Sequence, residues 1–200
     1  SLRGLLATVF ALSFAAFGGH LQLFSYLFIF TLIYSIFRLL ETKNKRNKKM
    51  AIILFSFIVS FGIASIQLLP SLELINLAAR VSHDKLFFLN NLLKINELIV
   101  FISPDFFGNP VSNNYLLNKS YPETALYIGV IPIIFALYAF FLKRKTLVKF
   151  YIVTGIIVLL MITVNPLSIY FYSFSLPFIS SSSPTNGIFI ISFALSILAG

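Results

Sequence analysis

Hydrophobic residues run through this chain in six segments that are separated by polar and basic clusters. Their lengths favour helices over strands, because a helix satisfies its own backbone hydrogen bonds in nonpolar surroundings. Three of the segments are shorter than the roughly twenty residues that cross a bilayer. The pattern predicts an all-α polytopic membrane protein with about six transmembrane or partly spanning helices. They cover residues 4–17, 21–40, 50–69, 125–142, 150–164 and 188–200.

Two basic clusters set the expected orientation of these segments. Five of the seven residues at 43–49 are basic, and a second basic cluster follows about a hundred residues later. Lys and Arg are enriched in the cytoplasmic loops of membrane proteins. We therefore predict a single membrane domain over residues 1–200. Its predicted cytoplasmic loops are 41–49 and 143–149, and its predicted extracytoplasmic loops are 71–124 and 165–187.

Composition supports this assignment. The chain is 58% hydrophobic and 10% charged, with a mean hydropathy of +0.95, whereas soluble domains keep roughly a quarter of their residues charged. The net charge of +9 would favour a nucleic-acid partner in a soluble protein. Here eleven of the fifteen basic residues are Arg3, Arg38 and members of the two clusters, where membrane topology accounts for them. The expected partner is the lipid bilayer, not nucleic acid.

Metal and thiol chemistry have little to build on in this sequence. The chain has no cysteine, which excludes disulfides, thiolate metal sites and cysteine nucleophiles. Its two histidines, His20 and His83, are far apart in sequence. We expect no metal site and no soluble cofactor.

The long outer segment 71–124 carries five of the six acidic residues and is the expected site of function. Within residues 86–102, apolar and polar residues alternate at helical spacing, which predicts an amphipathic helix lying in the membrane interface. Pro104, Gly108 and Pro110 follow it and predict a series of turns.

Five polar residues are candidates for ligand contacts, and each has a structural alternative. His20 and Gln22 follow a glycine-containing outer turn, which they could merely cap. Glu73 lies near the outer boundary of the third segment, where water could solvate it. Asp105 follows a proline and could be a general base, a metal ligand or a turn cap. Glu123 lies where the fourth segment begins and could simply favour a helix start.

Several motifs, taken in order, resemble a known family. They are Gly19–Gln22, Gln67–Glu73 leading to Arg80, Pro104–Pro110, Glu123–Pro132 and Ser192–Gly200. Together they resemble the bacterial YfhO-type membrane protein family over nearly the whole chain. The proline-rich loop and the Tyr127–Pro132 stretch are the most specific parts of this resemblance.

The resemblance implies a glycosyltransferase of the GT-C type in the bacterial cytoplasmic membrane. Such enzymes take a sugar from a polyprenyl-phosphate carrier and transfer it to an extracytoplasmic cell-envelope acceptor such as lipoteichoic acid. The implied reaction is an inverting displacement. A carboxylate takes the proton of the acceptor hydroxyl, while basic groups stabilise the departing lipid phosphate.

The resemblance also implies roles for the candidate residues. Arg80 is expected to bind the phosphate, because a guanidinium contacts phosphate oxygens bidentately. Asp105 and Glu123 are the catalytic candidates and could instead position the acceptor sugar or a cation. The remaining substrate-binding candidates are His20, Gln22 and Glu73.

Two features depart from the family pattern and leave other functions open. The usual catalytic aspartate follows the first membrane helix, so the catalytic base is expected upstream of Ser1. An arginine is also expected soon after the proline of the last outer segment, where this chain has Pro184 and Thr185. The alternatives are a transporter or flippase for a lipid-linked solute and a non-catalytic membrane scaffold.

Overall fold

The computed structural model describes residues 2–77, 85–124, 127–139, 141, 146–174, 176, 179 and 182–200. Within these residues the chain is helical and forms no named strand, which confirms the all-α prediction. The α-helices are α1 Leu2–Phe17, α2 Leu21–Leu40, α3 Arg46–Leu77, α4 Lys85–Asn91, α5 Tyr121–Thr124, α6 Val130–Ala139, α7 Thr146–Ile162, α8 Pro166–Tyr172 and α9 Ile188–Ala199. Three 3₁₀ helices cover Ile95–Phe101, Pro110–Ser112 and Pro184–Gly187.

Among the described residues, two helices are long and apolar enough to cross a membrane. They are α2, at Leu21–Leu40, and the Arg46–Leu74 part of α3. Only 11% of the apolar window of α2 and 28% of that of α3 is buried inside the structure. The core helix of a soluble protein would be mostly buried, so the length, composition and exposure of these helices suggest a membrane protein.

The other apolar helices are shorter, and the prediction of six spans is not confirmed. Helix α7 has 17 residues, equivalent to about 25 Å, and the described part of α6 has 10. Helix α3 is longer than predicted. It continues through Pro70, where the sequence predicts its end. A proline removes one backbone donor and bends a helix, yet here the helix goes on for about two turns.

The first of two compact units comprises Ser1–Ser82 with Pro177–Ser181. In this unit α1 packs along α3, and both also contact α2. The buried cluster consists of Ala16, Phe24, Ala64 and Leu68. The two alanines are almost completely buried, and such small side chains allow helix backbones to approach closely.

The second unit comprises His83–Leu176 with Ser182–Gly200. Helix α9 packs against both α6 and α7, and the buried cluster consists of Leu93, Ile162, Ile188 and Ile191. The backbone of Leu93 joins the end of α7 in a short bridge. Its N–H donates to the carbonyl of Ile162 at 2.8 Å, and its carbonyl accepts from the N–H of Val164 at 2.9 Å.

A continuous amphipathic helix over residues 86–102 is not confirmed. Helix α4 ends at Asn91, and a 3₁₀ helix begins at Ile95. Between them the bridge to α7 takes the backbone groups of Leu93 out of helical pairing. The burial pattern changes as well, because Glu97 is buried and Ile95 is exposed. Tertiary pairing therefore replaces the local 3.6-residue period in this segment.

Leu93→Ala is expected to destabilise the second unit by about 2–5 kcal/mol, because it leaves a cavity in a core where Leu93 is 0% exposed. Ile95→Ala is the matched control, since Ile95 is 83% exposed and two residues away. Thermal unfolding in detergent, followed by circular dichroism, measures the difference. Equal melting temperatures for the two variants would contradict the assigned core.

Candidate functional site

The candidate site is residues 103–124, which we call the polar loop. Its turns depend on Gly108, whose N–H donates to the carbonyl of Asp105 at 2.9 Å. Gly108 has φ +85°, and a Cβ atom there would lie 2.1 Å from the backbone oxygen of Asn114. Only glycine fits this position, because the close approach and the positive φ each exclude a side chain. The loop is also closed by a bond from the N–H of Leu116 to the carbonyl of Phe107, at 2.8 Å.

Asparagine side chains organise the outer part of the polar loop. The backbone N–H of Asn109 donates to Oδ1 of Asn114 at 2.8 Å. Oδ1 of Asn109 in turn accepts from the N–H of Val111 at 2.9 Å and begins a short 3₁₀ helix at Pro110. Asn113 ends that helix in the left-handed conformation, with φ 54°. These side chains supply the backbone with partners that no regular helix provides here.

Asp105 is exposed and is held by two side chains of the polar loop. Its Oδ1 accepts from the hydroxyl of Tyr121 at 2.6 Å and from Nδ2 of Asn109 at 3.1 Å. The ring of Tyr121 also packs edge-to-face against that of Tyr115, with centroids 5.5 Å apart. Among the hydrogen bonds of the described residues, those to the Asp105 carboxylate use Oδ1. Oδ2 can therefore accept a hydrogen bond from a ligand hydroxyl.

The hydrogen bond to Asp105 raises the pKa of Tyr121 above its usual value, and desolvation and the Asp105 charge act in the same direction. A phenol that donates to a carboxylate is stabilised in its neutral form. Tyr121 is the first residue of α5, and Glu123 lies two residues later, half-buried. The bond from Tyr121 thus ties Asp105 to the helix that carries Glu123.

A buried ion pair joins the polar loop to the 3₁₀ helix that precedes it. Nζ of Lys119 contacts Oε2 of Glu97, and each side chain is 7% exposed. Oε2 of Glu97 also accepts from the N–H of Lys94 at 2.9 Å and so caps the 3₁₀ helix Ile95–Phe101. A buried charge without a partner is strongly unfavourable, and here each side chain faces one of opposite charge. The pair therefore fastens the loop to the preceding helix.

The remaining predicted site residues lie in the first unit or outside the described residues. His20 is exposed, and its Nδ1 accepts from the N–H of Leu23 at 3.4 Å, which caps α2. Gln22 is fully buried, and its Nε2 donates to the Tyr26 hydroxyl at 3.0 Å and to the Ile179 carbonyl at 2.7 Å. Glu73 is exposed on α3. Arg80, the predicted phosphate ligand, lies outside the described residues.

The segment around Pro184, where the family pattern has an arginine, is buried within the second unit. Thr185 is 1% exposed, and its hydroxyl bonds that of Ser183 at 2.6 Å. The 3₁₀ helix Pro184–Gly187 packs against α4, α5, α7 and α9. This position therefore serves packing within the unit.

The sequence does not identify three residues that hold the polar loop in place. They are Tyr121, Glu97 and Lys119. No motif in the sequence identifies Tyr121, although its hydroxyl holds Asp105. Glu97 and Lys119 were not paired, because 22 residues separate them and Glu97 matched the polar side of a predicted helix. No spacing signal identifies such a pair. Within the part of the chain that the structure describes, no group of three His, Cys, Asp or Glu side chains is placed to hold a metal ion.

Lys119→Met is expected to destabilise the second unit by about 3–5 kcal/mol, because it leaves the buried carboxylate of Glu97 without a cation. Adding Glu97→Gln should recover part of this loss, since the double variant buries no unpaired charge. Lys94→Met is the control, because Lys94 is exposed in the same unit. Chemical denaturation in detergent measures the free energy of unfolding of the wild type and of the three variants. A double variant no more stable than Lys119→Met would contradict the pairing.

Ionisation of Tyr121 is expected to make the polar loop less stable in alkaline solution. Because its pKa in the folded protein lies above the ordinary value of 10.0, its contribution is complete below pH 10 and is lost as the pH rises through the folded pKa. The ultraviolet absorbance of ionised tyrosine is measured against pH in the wild type and in Tyr121→Phe, and the difference between the two curves gives the titration of Tyr121. Asp105→Asn should lower its pKa. A midpoint at or below the ordinary value in the wild type would refute the bond to Asp105.

Comparison with known proteins gave no relative for this chain. No family model matches it, and neither the curated proteins nor the solved structures gave a match. The resemblance to the YfhO-type family therefore stays a prediction, and what can be argued about function depends on the geometry of the polar loop.

Proposed function

We propose that this chain belongs to a membrane glycosyltransferase of the GT-C type. It would transfer a sugar from a polyprenyl-phosphate carrier to an extracytoplasmic cell-envelope acceptor such as lipoteichoic acid. The observation that carries the proposal is the exposed Asp105 carboxylate, held through one oxygen by Tyr121 and Asn109. The polar loop would be the part of the chain that binds the sugar.

Membrane placement is the first support for this proposal. Helices α2 and α3 have the length and hydropathy of membrane spans, and most of their apolar surface is exposed. The basic cluster at 43–49 covers the end of the connection between them and the first turn of α3, and it favours a cytoplasmic position for that connection. In the proposed topology the chain after α3 is extracytoplasmic, as the sequence predicts for residues 71–124. A multi-pass protein of the bacterial cytoplasmic membrane would thus present the loop outside.

The chemistry of the polar loop is the second support. Oδ2 of Asp105 can accept a hydrogen bond from a sugar hydroxyl, while the two bonds to Oδ1 hold the carboxylate in one orientation. Phe106, next to Asp105, is 60% exposed and offers an apolar ring for the face of a sugar. The loop is prearranged by Gly108 and the asparagines, which lowers the entropy cost of binding.

The proposed reaction is a single displacement. The acceptor oxygen attacks the anomeric carbon, a new carbon–oxygen bond forms, and the bond from that carbon to the lipid phosphate breaks. A carboxylate takes the proton of the acceptor hydroxyl, and the phosphate leaves with the bonding electrons. In this scheme Asp105 and Glu123 are the acid–base or acceptor-positioning candidates, and Arg80 stabilises the leaving phosphate.

Asp105→Asn is expected to reduce transfer by about tenfold or more, because hydrogen bonds to a charged group contribute about 1.5–3 kcal/mol. The assay uses the reconstituted protein, a labelled polyprenyl-phosphate sugar and lipoteichoic acid, and it separates kcat from KM. A positioning role raises KM chiefly, whereas a general-base role lowers kcat. Glu123→Gln is measured in parallel.

Glu41→Gln is the matched control, because Glu41 is a carboxylate outside the polar loop that pairs with Arg38 at the end of α2. It should change turnover by about twofold at most. Wild-type kcat and KM in both Asp105→Asn and Glu123→Gln would overturn the residue assignment. Movement of the lipid-linked sugar across the bilayer without any transfer would favour a flippase.

A further inference from the structure

A groove of about 290 Å³ lies between α2 and α3 in the first unit, near the end of α2 and the beginning of α3. Two cationic side chains line it, Arg38 from α2 and Lys49 from α3. None of the residues assigned to glycosyl transfer is among the residues that line it. Three further lining residues carry hydroxyl groups, Tyr34, Ser35 and Thr42.

The rest of the lining is apolar. Leu39, Ile52 and Ile53 face the same groove, so it combines cations and hydroxyls with a hydrocarbon surface. Inorganic phosphate has no apolar group that could contact that surface. A phospholipid has both parts, an anionic phosphate with glycerol oxygens and acyl chains, and it matches the lining as a whole.

The charge of the surrounding segment also favours an anion. Residues 38–49 contain six basic residues and one acidic residue, Glu41. Helix α3 begins at Arg46 and has no acidic residue in its first turn. The positive end of a helix dipole is unfavourable for cations, so an anion bound beside Lys49 would relieve this repulsion.

The pair between Arg38 and Glu41 leaves the groove competent to bind an anion. Nη1 of Arg38 contacts Oε2 of Glu41 at 2.9 Å, and the two side chains are 53% and 32% exposed. An exposed pair of this kind contributes little to stability. The contact uses one of the five N–H donors of the guanidinium, so the same side chain can bind a phosphate oxygen.

We propose that this groove binds an anionic phospholipid of the cytoplasmic leaflet. Arg38 and Lys49 contact the phosphate, the hydroxyl groups contact headgroup or glycerol oxygens, and an acyl chain follows the apolar wall. The proposal depends on the membrane placement of α2 and α3 in the proposed function, but it does not depend on glycosyl transfer. Its two helices are the ones with the length of membrane spans.

Native mass spectrometry of the detergent-solubilised protein tests the groove. The chain is titrated with phosphatidylglycerol and phosphatidylcholine of identical acyl chains, and the retained lipid is counted. Arg38→Gln with Lys49→Gln should lower phosphatidylglycerol retention by about tenfold or more, because it removes both direct charged contacts with the phosphate. Arg38→Lys should give a smaller loss, since it keeps the charge and removes the planar fork.

Lys43→Gln with Lys48→Gln is the matched control, because it removes the same charge from residues outside the groove lining. It should change retention by less than about threefold. Circular dichroism checks that all variants keep their helical content. An equal loss in both double variants, or no preference for phosphatidylglycerol in the wild type, would overturn the proposal.

Two further measurements distinguish lipid binding from a site for free phosphate and from the proposed glycosyl transfer. Inorganic phosphate should not displace the lipid, and full displacement at equal concentration would show a site for free phosphate instead. Asp105→Asn should leave lipid retention unchanged, because Asp105 belongs to the other unit. Loss of transfer with intact lipid binding, or the reverse, would therefore distinguish the two proposals.

Discussion

Exposed apolar surface on two long helices is the constraint on which the rest of this protein depends. Helices α2 and α3 bury only a small part of their apolar windows. A surface of this kind is unfavourable in water and favourable in lipid. Once both helices are placed in a bilayer, the polar residues must collect at their ends and in the connections. The groove lined by Arg38 and Lys49 and the polar loop belong to different compact units.

The polar loop contains only two short helices, Pro110–Ser112 and Tyr121–Thr124, so most of its backbone groups need partners outside regular secondary structure. Its backbone groups find partners through the asparagine side chains and through the turn at Gly108. The buried Lys119 then neutralises Glu97. This arrangement leaves Asp105 exposed yet fixed in orientation, which is the combination that a ligand-binding carboxylate needs.

The candidate residues divide by the work that they do in the structure. Gln22 is buried and its Nε2 donates to two internal acceptors, and His20 caps a helix, so both have a structural task whether or not they meet a ligand. Asp105 is exposed, and its Oδ2 is available for a ligand. This difference makes Asp105 the more informative residue to change, because its loss should affect binding more than folding.

Much of the fold follows from local sequence. The segment 21–40 forms α2 with the predicted bounds, because a helix satisfies the backbone hydrogen bonds of a long apolar run within the run itself. Spacing could not reveal that the segment after Asn91 leaves helical geometry, since the cause is a backbone bridge from Leu93 to the end of α7, far away in sequence. The same holds for the pairs Glu97–Lys119 and Asp105–Tyr121. The sequence by itself determined the helical class, the apolar segments and the concentration of acidic residues between positions 71 and 124, because these depend on composition and on neighbours along the chain. Only the tertiary structure decided which carboxylate is buried and which is exposed, because burial depends on contacts between distant segments.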